Sequence, residues 1–310
     1  MRIIFFGTPA FAVPSLKILT AQGRDVVAVV TQPDRLKGRG HLLSAPPVKE
    51  FALAQSIPVL QPEKIRTAAF HQELSSLCPE AIVVVAYGRI LPAGILGLPP
   101  LGCINVHGSL LPHYRGAAPI QWSVINGDSK TGITTMLMNE GLDTGDILLQ
   151  EETLISDDDT TQSLSDRLSE IGASLLVKTL DGLSDGTLSP VPQRGEPSYA
   201  PPLRKEDGRI DWNWPARRIF NLIRGTFPWP GAYGLLNSER IMILRASALS
   251  PGLKGVAGSI SLTGEGGLLV QTGDGLLSIQ ELKPEGRKAM PSADFVNGRR
   301  LRAGMCFDAV

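Results

Sequence analysis

Two runs of the chain, Val26 to Val30 and Ala81 to Ala86, are apolar at every position, and Ile3 to Phe6 is a third. A fourth candidate strand, Cys103 to Val106, is broken only by Asn105. A strand that is apolar on both faces has to be covered on both faces, which fits a parallel sheet between helices and not an antiparallel sheet open to water. Helical patterns lie between these runs. Phe11, Leu16 and Leu19 follow the first, and Pro47 to Gln55 and Pro62 to Leu77 flank a short strand at Val59-Leu60. Strand and helix in alternation give a doubly wound α/β domain.

Further along, Thr131 to Met138 and Asp146 to Ile155 read as strands. Leu164, Leu168, Ile171 and Leu175 then mark a helix and close the domain near residue 189. Prolines crowd the stretch from Pro190 to Pro202, which reads as an extended, semi-rigid linker over 190–207. At 310 residues two domains are expected. In the second, residues 208–310, Pro215 opens a helix with apolar face Ala216, Ile219, Phe220 and Ile223, and Arg217, Arg218 and Arg224 point elsewhere. Short runs at Arg240 to Leu244, Gly258 to Leu262, Leu268 to Thr272 and Leu276 to Leu282 alternate with glycine-rich turns. That pattern predicts a small antiparallel sheet or five-stranded β-barrel.

Several function classes recede on composition. No apolar run approaches the roughly 18 to 20 residues of a membrane span, and the amino terminus has no apolar segment of signal-peptide length, so a cytoplasmic protein without a membrane role is expected. Cys78, Cys103 and Cys306 form no Cys-x-x-Cys pair, and His41, His71, His107 and His113 no His-x-x-x-His pair. Reduced thiols and no metal site follow. Gly7-Thr-Pro-Ala-Phe-Ala12 lacks two of the three glycines of a dinucleotide turn, which argues against NAD. Net charge is zero, but residues 1–203 hold 15 Lys+Arg against 20 Asp+Glu, and 204–310 hold 15 against 10. A basic second half suits a polyanionic partner.

Asn105-Val-His107 ends an apolar strand, where open α/β sheets place their ligands. Alternation puts Asn105 and His107 on one face. Asp143 falls in the Gly-flanked turn Asn139-Glu-Gly-Leu-Asp-Thr-Gly-Asp146, a loop able to present a carboxylate over a strand end. On composition alone, a strand-end histidine such as His107 is more often a structural hydrogen bonder than a catalytic group.

The strand Cys103-Ile-Asn-Val-His107, the run Ser109-Leu-Leu-Pro112 and Gly141-Leu-Asp-Thr-Gly145 together resemble the signature of the folate-dependent formyltransferases. Phe6-Gly-Thr-Pro9, Thr31-Gln-Pro-Asp-Arg35 with Gly38-Arg-Gly40, and Tyr114-Arg-Gly-Ala-Ala-Pro-Ile-Gln-Trp122 resemble the branch of that family acting on charged tRNA. The likeness extends past the linker, through Ile210-Asp-Trp and Pro228-Trp-Pro-Gly-Ala232. It implies a Rossmann-like catalytic domain over 1–189 and a small OB-like barrel that binds tRNA.

The activity implied is transfer of the formyl group of 10-formyltetrahydrofolate to the α-amino group of methionine on initiator methionyl-tRNA, for translation initiation. Folate is then a cosubstrate, nothing is tightly bound, and the enzyme is expected to act as a monomer. Asn105 would donate to the tetrahedral oxyanion, a role a protonated His107 could share; Asp143 would orient the imidazole and favour its charged form, and the two proton transfers fall to His107 and Asp143 without an assignment of each. Ser109, Leu110, Leu111 and Pro112 resemble the folate-binding segment. Arg35, Lys37 and Arg39 belong to an inserted loop that would enter the acceptor stem, with Arg39 as a wedge, although His41-Leu-Leu stands where the family's loop is usually more basic. Lys283, Arg287 and Lys288, with Arg299, Arg300 and Arg302 nearby, suit phosphate contacts. The rival readings are a formyltransferase for a small amine and a non-enzymatic RNA-binding protein with a dead folate pocket.

Overall fold

The structure is a computed structural model, and it describes residues 1–37, 42–249, 253–263 and 267–309. Strand β1 (Arg2–Gly7) runs through a short 3-10 turn into α1 (Val13–Ala21) and then β2 (Asp25–Val30). A ribbon of β3 (Arg35–Lys37) and β4 (Leu42–Ser44) precedes α2 (Pro47–Ala54), β5 (Val59–Leu60), α3 (Ala68–Ser76), β6 (Ala81–Val85), α4 (Ala93–Leu96) and β7 (Cys103–His107). Then come β8 (Arg115–Gly116), α5 (Pro119–Asn126), β9 (Lys130–Leu137), β10 (Asp146–Leu154), α6 (Thr161–Ser184) and β11 (Tyr199–Ala200).

Seven of these strands form one sheet in the order β10-β9-β7-β6-β1-β2-β5. From β7 to β5 all pairs are parallel, and β9 runs antiparallel to β7. Both faces are covered, as the unbroken apolar runs require. On one face Ile4, Phe6, Ile82 and Val84 pack with Phe70 and Leu74 of α3 and Ile95 of α4. On the other, α6 lies so close that a Cβ on Gly172 would come within 2.9 Å of Val106 Cγ1. The α/β fold expected from the runs is the fold observed.

Clustering of backbone contacts gives two compact units that interleave along the chain. The first comprises Met1–Pro119, Thr131–Leu154 and Ser165–Pro201; the second comprises Ile120–Lys130, Ile155–Leu164 and Pro202–Val310. The proline-rich stretch belongs to the first unit and is stitched to it. Val191 bridges Ile147 through backbone hydrogen bonds of 2.8 and 2.9 Å, and β11 pairs in parallel with β8. Prolines kept this segment extended, and an extended segment can still pair at a sheet edge.

The second unit contains α7 (Ala216–Gly225), β12 (Tyr233–Leu236), β13 (Glu239–Leu249), β14 (Ile260–Leu262), β15 (Leu268–Gln271), β16 (Leu276–Pro284), β17 (Met290–Pro291) and α8 (Ser292–Arg299). Its antiparallel sheet has the order β12-β13-β16-β15-β14, with β17 added to β16, consistent with a small OB-like domain. Register shifts in β13 between Ile243 and Ala246 bend it against β16. Trp212, Ile219, Ile243, Ile279, Phe295 and Phe307 are buried in its core.

Local expectations change in two places. The helix expected from Pro62 begins only at Ala68, because the Thr67 side chain accepts from the Phe70 N–H and caps it there. Arg224 does not point away from the core: it is 5 % exposed, and Nη1 donates to the Ser156 and Asp159 carbonyls at 2.7 and 3.2 Å. Burial holds its guanidinium below the usual arginine range. No helix among the described residues is long and apolar enough to cross a membrane.

Candidate active site

At the carboxyl end of β7 the chain leaves the sheet at His107, which is 6 % exposed. Its Nε2 lies 3.0 Å from the Tyr114 carbonyl oxygen. A carbonyl only accepts, so Nε2 carries a hydrogen in either charge state of the ring, and Nδ1 is the position that gains or loses the proton. Nδ1 faces Asp143 Oδ2 at 3.8 Å, an ion-pair separation too long for a direct hydrogen bond. The ring is therefore oriented by the Tyr114 carbonyl. Asp143 supplies a nearby charge; it does not supply the orienting bond that the sequence reading gave it.

Asp143 is a non-glycine residue at φ +52°, and Tyr114 is another at +60°. Left-handed backbone costs roughly 1–2 kcal/mol at an ordinary residue, so both need support. The Gly116 N–H donates to Asp143 Oδ2 at 2.8 Å. Gln193 Nε2 donates to the carbonyls of Asp143 and Gly145, each at 2.8 Å. Asn139 Oδ1 accepts from the Gly141 N–H at 3.0 Å and the Thr144 hydroxyl at 2.7 Å, closing the turn. Gly145 has no alternative, since a Cβ there would lie 1.8 Å from the Leu137 carbonyl oxygen. Gly116, at φ +124°, would place a Cβ 2.6 Å from the Ala200 carbonyl oxygen.

Asn105 sits two residues before His107 on the same strand face and is half-buried. Among the described residues its carboxamide has no recorded hydrogen bond, so its N–H groups are available to a ligand. The structure thus brings Asn105 and His107 onto one strand end and places Asp143 beside the imidazole.

The run Ser109 to Pro112 is differently disposed. Ser109 and Leu111 are 0 % and 3 % exposed. Ser109 Oγ donates to the His113 carbonyl at 2.6 Å, and the Thr134 hydroxyl donates to the Ser109 carbonyl at 2.6 Å. The Leu111 N–H donates to Thr134 Oγ1 at 3.0 Å, and its carbonyl accepts from Gln150 at 2.9 Å. Most polar groups here are satisfied internally. Leu110, half-buried, is the member with side-chain surface to offer.

Two clefts open beside the loop after β6, the strand next to β7. One, of about 510 Å³, is lined by Thr8, Gln32, Arg35, Pro46, Tyr87 and Arg89; the other, of about 480 Å³, includes His71, Leu91, Pro92 and Glu140. Neither is lined by Asn105, His107 or Asp143. Exposed Arg35 opens the β3–β4 ribbon, and Lys37 ends its first strand. Arg39 and His41 lie outside the described residues. Just before the ribbon, Lys49 Nζ donates to both Asp34 oxygens at 2.9 and 2.7 Å, and its hydrogen bond holds the Asp34 carboxyl below the usual range.

In the second unit Lys283, Arg287 and Lys288 are exposed at the end of β16 and the turn toward β17. Arg299 is paired with Glu239 at 2.6 Å, and Arg217 with Asp157. Counted on the compact unit, the charge is 16 Lys+Arg against 14 Asp+Glu, because Asp128 and Asp157 to Asp159 join it. The strong basic excess of the carboxy-terminal third shrinks accordingly, and local clusters matter more than the total.

Cys103, two residues before Asn105, is buried, and burial pushes its thiol up to about 12. Cys78 and Cys306 are exposed. A disulfide reagent at pH 8 is expected to titrate two fast thiols per folded chain and the third only on denaturation. Three fast thiols would contradict the packing around β7. Among the described residues no group of three metal-ligating side chains comes together.

Residues 1–180 match the family described as formyl transferase, and residues 202–300 match its carboxy-terminal domain. A methionyl-tRNA formyltransferase of Thermodesulfovibrio yellowstonii is 52 % identical over 303 residues, covering 98 % of this chain and 97 % of that protein. One of Pelobacter propionicus is 51 % identical over 303 residues, covering 97 % and 94 %. Among solved structures, WlaRD, a sugar 3N-formyl transferase crystallised with dTDP and 5-N-formyl-THF, aligns with a TM-score of 0.68 at 18 % identity, covering 93 % of this chain and 99 % of that one. The two family matches together span most of the sequence, and relatives at about half identity cover nearly all of it: the chain belongs to the formyl transferase family.

Proposed function

We propose that the protein transfers the formyl group of 10-formyltetrahydrofolate to the α-amino group of methionine esterified to initiator tRNA, with Asn105, His107 and Asp143 as its reacting centre. The observation that carries the chemistry is the buried imidazole whose Nε2 is committed to the Tyr114 carbonyl while Nδ1 faces Asp143, beside an unengaged Asn105 carboxamide. The amine attacks the formyl carbon, its new C–N bond forms, and the carbonyl oxygen becomes an oxyanion. Asn105 donates to that oxygen. Breakdown of the intermediate cleaves the bond to folate N10. The amine loses a proton and N10 gains one, and His107 Nδ1, which faces the Asp143 carboxylate at 3.8 Å, is the exchangeable site that serves this traffic.

Acceptor choice rests on the relatives and on two local features. The relatives named above are methionyl-tRNA formyltransferases at about half identity over nearly full length. Arg35 and Lys37 in β3, Arg39 close to them in sequence, and Lys283, Arg287 and Lys288 in the second unit suit phosphates of an acceptor stem. Residues 1–189 then form the catalytic part and 208–310 the tRNA-binding part, working in the cytoplasm where initiator tRNA is charged. Ser109 to Pro112 would contribute to the folate site by shape, chiefly through Leu110. The test is acceptor-dependent release of tetrahydrofolate: charged initiator tRNA is expected to drive it, and an amino sugar nucleotide to leave it at background. The reverse would assign the protein to small amines.

Arg39→Ala is expected to raise the apparent KM for charged tRNA by about tenfold or more, the scale of one lost phosphate contact and its insertion, with folate KM unchanged. Unaltered tRNA kinetics would remove Arg39 from the interface.

A further inference from the structure

We infer that Gln193 is a positioning residue that holds Asp143 beside His107, making the proline-rich stretch 191–200 part of the active-site framework. The inference rests on the function proposed above for what it does, and on geometry for where it sits. One carboxamide makes four contacts: Nε2 donates to the Asp143 and Gly145 carbonyls at 2.8 Å each, and Oε1 accepts from Arg115 Nε at 3.1 Å and from an Arg115 terminal nitrogen at 2.6 Å. Both ends of the amide are therefore engaged, and its orientation is unambiguous: reversed, its oxygen would face two carbonyls and its nitrogen a guanidinium.

The partners explain the purpose. Arg115 is adjacent to Tyr114, whose carbonyl orients the imidazole, and to Gly116, whose N–H binds Asp143 Oδ2. Gln193 thus ties the loop that aims His107 to the turn that presents Asp143. The same stretch grips the first loop again: Ser198 Oγ accepts from the Tyr114 N–H at 2.9 Å, and the Ser198 carbonyl accepts from the Arg115 N–H at 2.8 Å. Val191 anchors one end on Ile147 and β11 the other on β8. Tyr114 and Asp143, the two left-handed residues of the site, are both held from this strap.

Two variants separate the halves of the contact. Gln193→Glu keeps an oxygen for Arg115 and turns the second against the Asp143 and Gly145 carbonyls, whereas Gln193→Ala removes everything. Gln193→Glu is expected to lower kcat roughly 10- to 100-fold, the scale of a displaced reacting group, with both KM values within about twofold. Its melting temperature should match the parent. Independently of turnover, amide exchange at Gly116 should accelerate in Gln193→Glu, because displacement of Asp143 frees that N–H. Unchanged kcat together with unchanged Gly116 exchange would overturn the inference, as would a kcat loss that follows a fall in melting temperature across both variants. Faster Gly116 exchange in a protein whose parent transfers no formyl group would sustain the positioning role and fault the proposed function alone.

Discussion

His107→Ala is expected to lower kcat for formyl transfer by about 10² to 10⁴, the range for loss of a positioned proton-transfer group. The argument is geometric. Because Nε2 is tied to the Tyr114 carbonyl, proton exchange can only use Nδ1, and Nδ1 is the nitrogen that faces a carboxylate. Folate and tRNA affinity, measured by equilibrium binding without turnover, should change little, since the ring is 6 % exposed and offers little surface to a ligand. A variant with kcat within a few-fold of the parent would take His107 out of the proton path and leave it the role of a structural hydrogen bonder.

Asn105→Ala is expected to cost about 10² to 10³ in kcat, the usual loss for one oxyanion donor. Asn105→Asp should be at least as damaging although it nearly preserves the side chain's shape, because it replaces a donor by a negative acceptor aimed at a developing negative charge. KM for either substrate should move little, since a bond made in the transition state contributes little to ground-state binding. Stability should also hold, because the carboxamide makes no recorded bond within the described fold that its removal would orphan. Equal losses in kcat for Ala and Asp fit that donor role. An Asp variant more active than the Ala variant would contradict it.

Much of this was legible in the chain. The parallel sheet could be read because β1, β2 and β6 are apolar on both faces, which few other arrangements tolerate. The strand-end pair Asn105 and His107 could be read because alternation and the carboxyl-end rule are local statements. What could not be read depends on contacts across long separations. Gln193 meets Asp143, Gly145 and Arg115 over 48 to 78 residues of chain, from a segment whose prolines suggested only a spacer. The β8–β11 pair is two residues long on each side, too short to show a period. Tyr114 orients His107 through a backbone carbonyl, so its side chain gave no signal. Ser109 and Leu111 stood out as a motif, but whether their polar groups face a ligand or Thr134 and Gln150 is decided by β9 and β10. The division into units also escaped the linear reading, because Ile120–Lys130 and Ile155–Leu164 join the second unit from within the first domain's sequence. Their aspartates offset much of the basic charge that the carboxy-terminal third carries alone.

The most direct test compares formyl transfer from 10-formyltetrahydrofolate to methionyl initiator tRNA, methionyl elongator tRNA and free methionine under single-turnover conditions. Transfer to the initiator at a rate at least about 10² above either of the others, the discrimination that differential contacts of a few kcal/mol provide, is the predicted result. Equal rates on initiator tRNA and free methionine would contradict the account, since the basic ribbon and the second unit would then contribute nothing to the choice of amine.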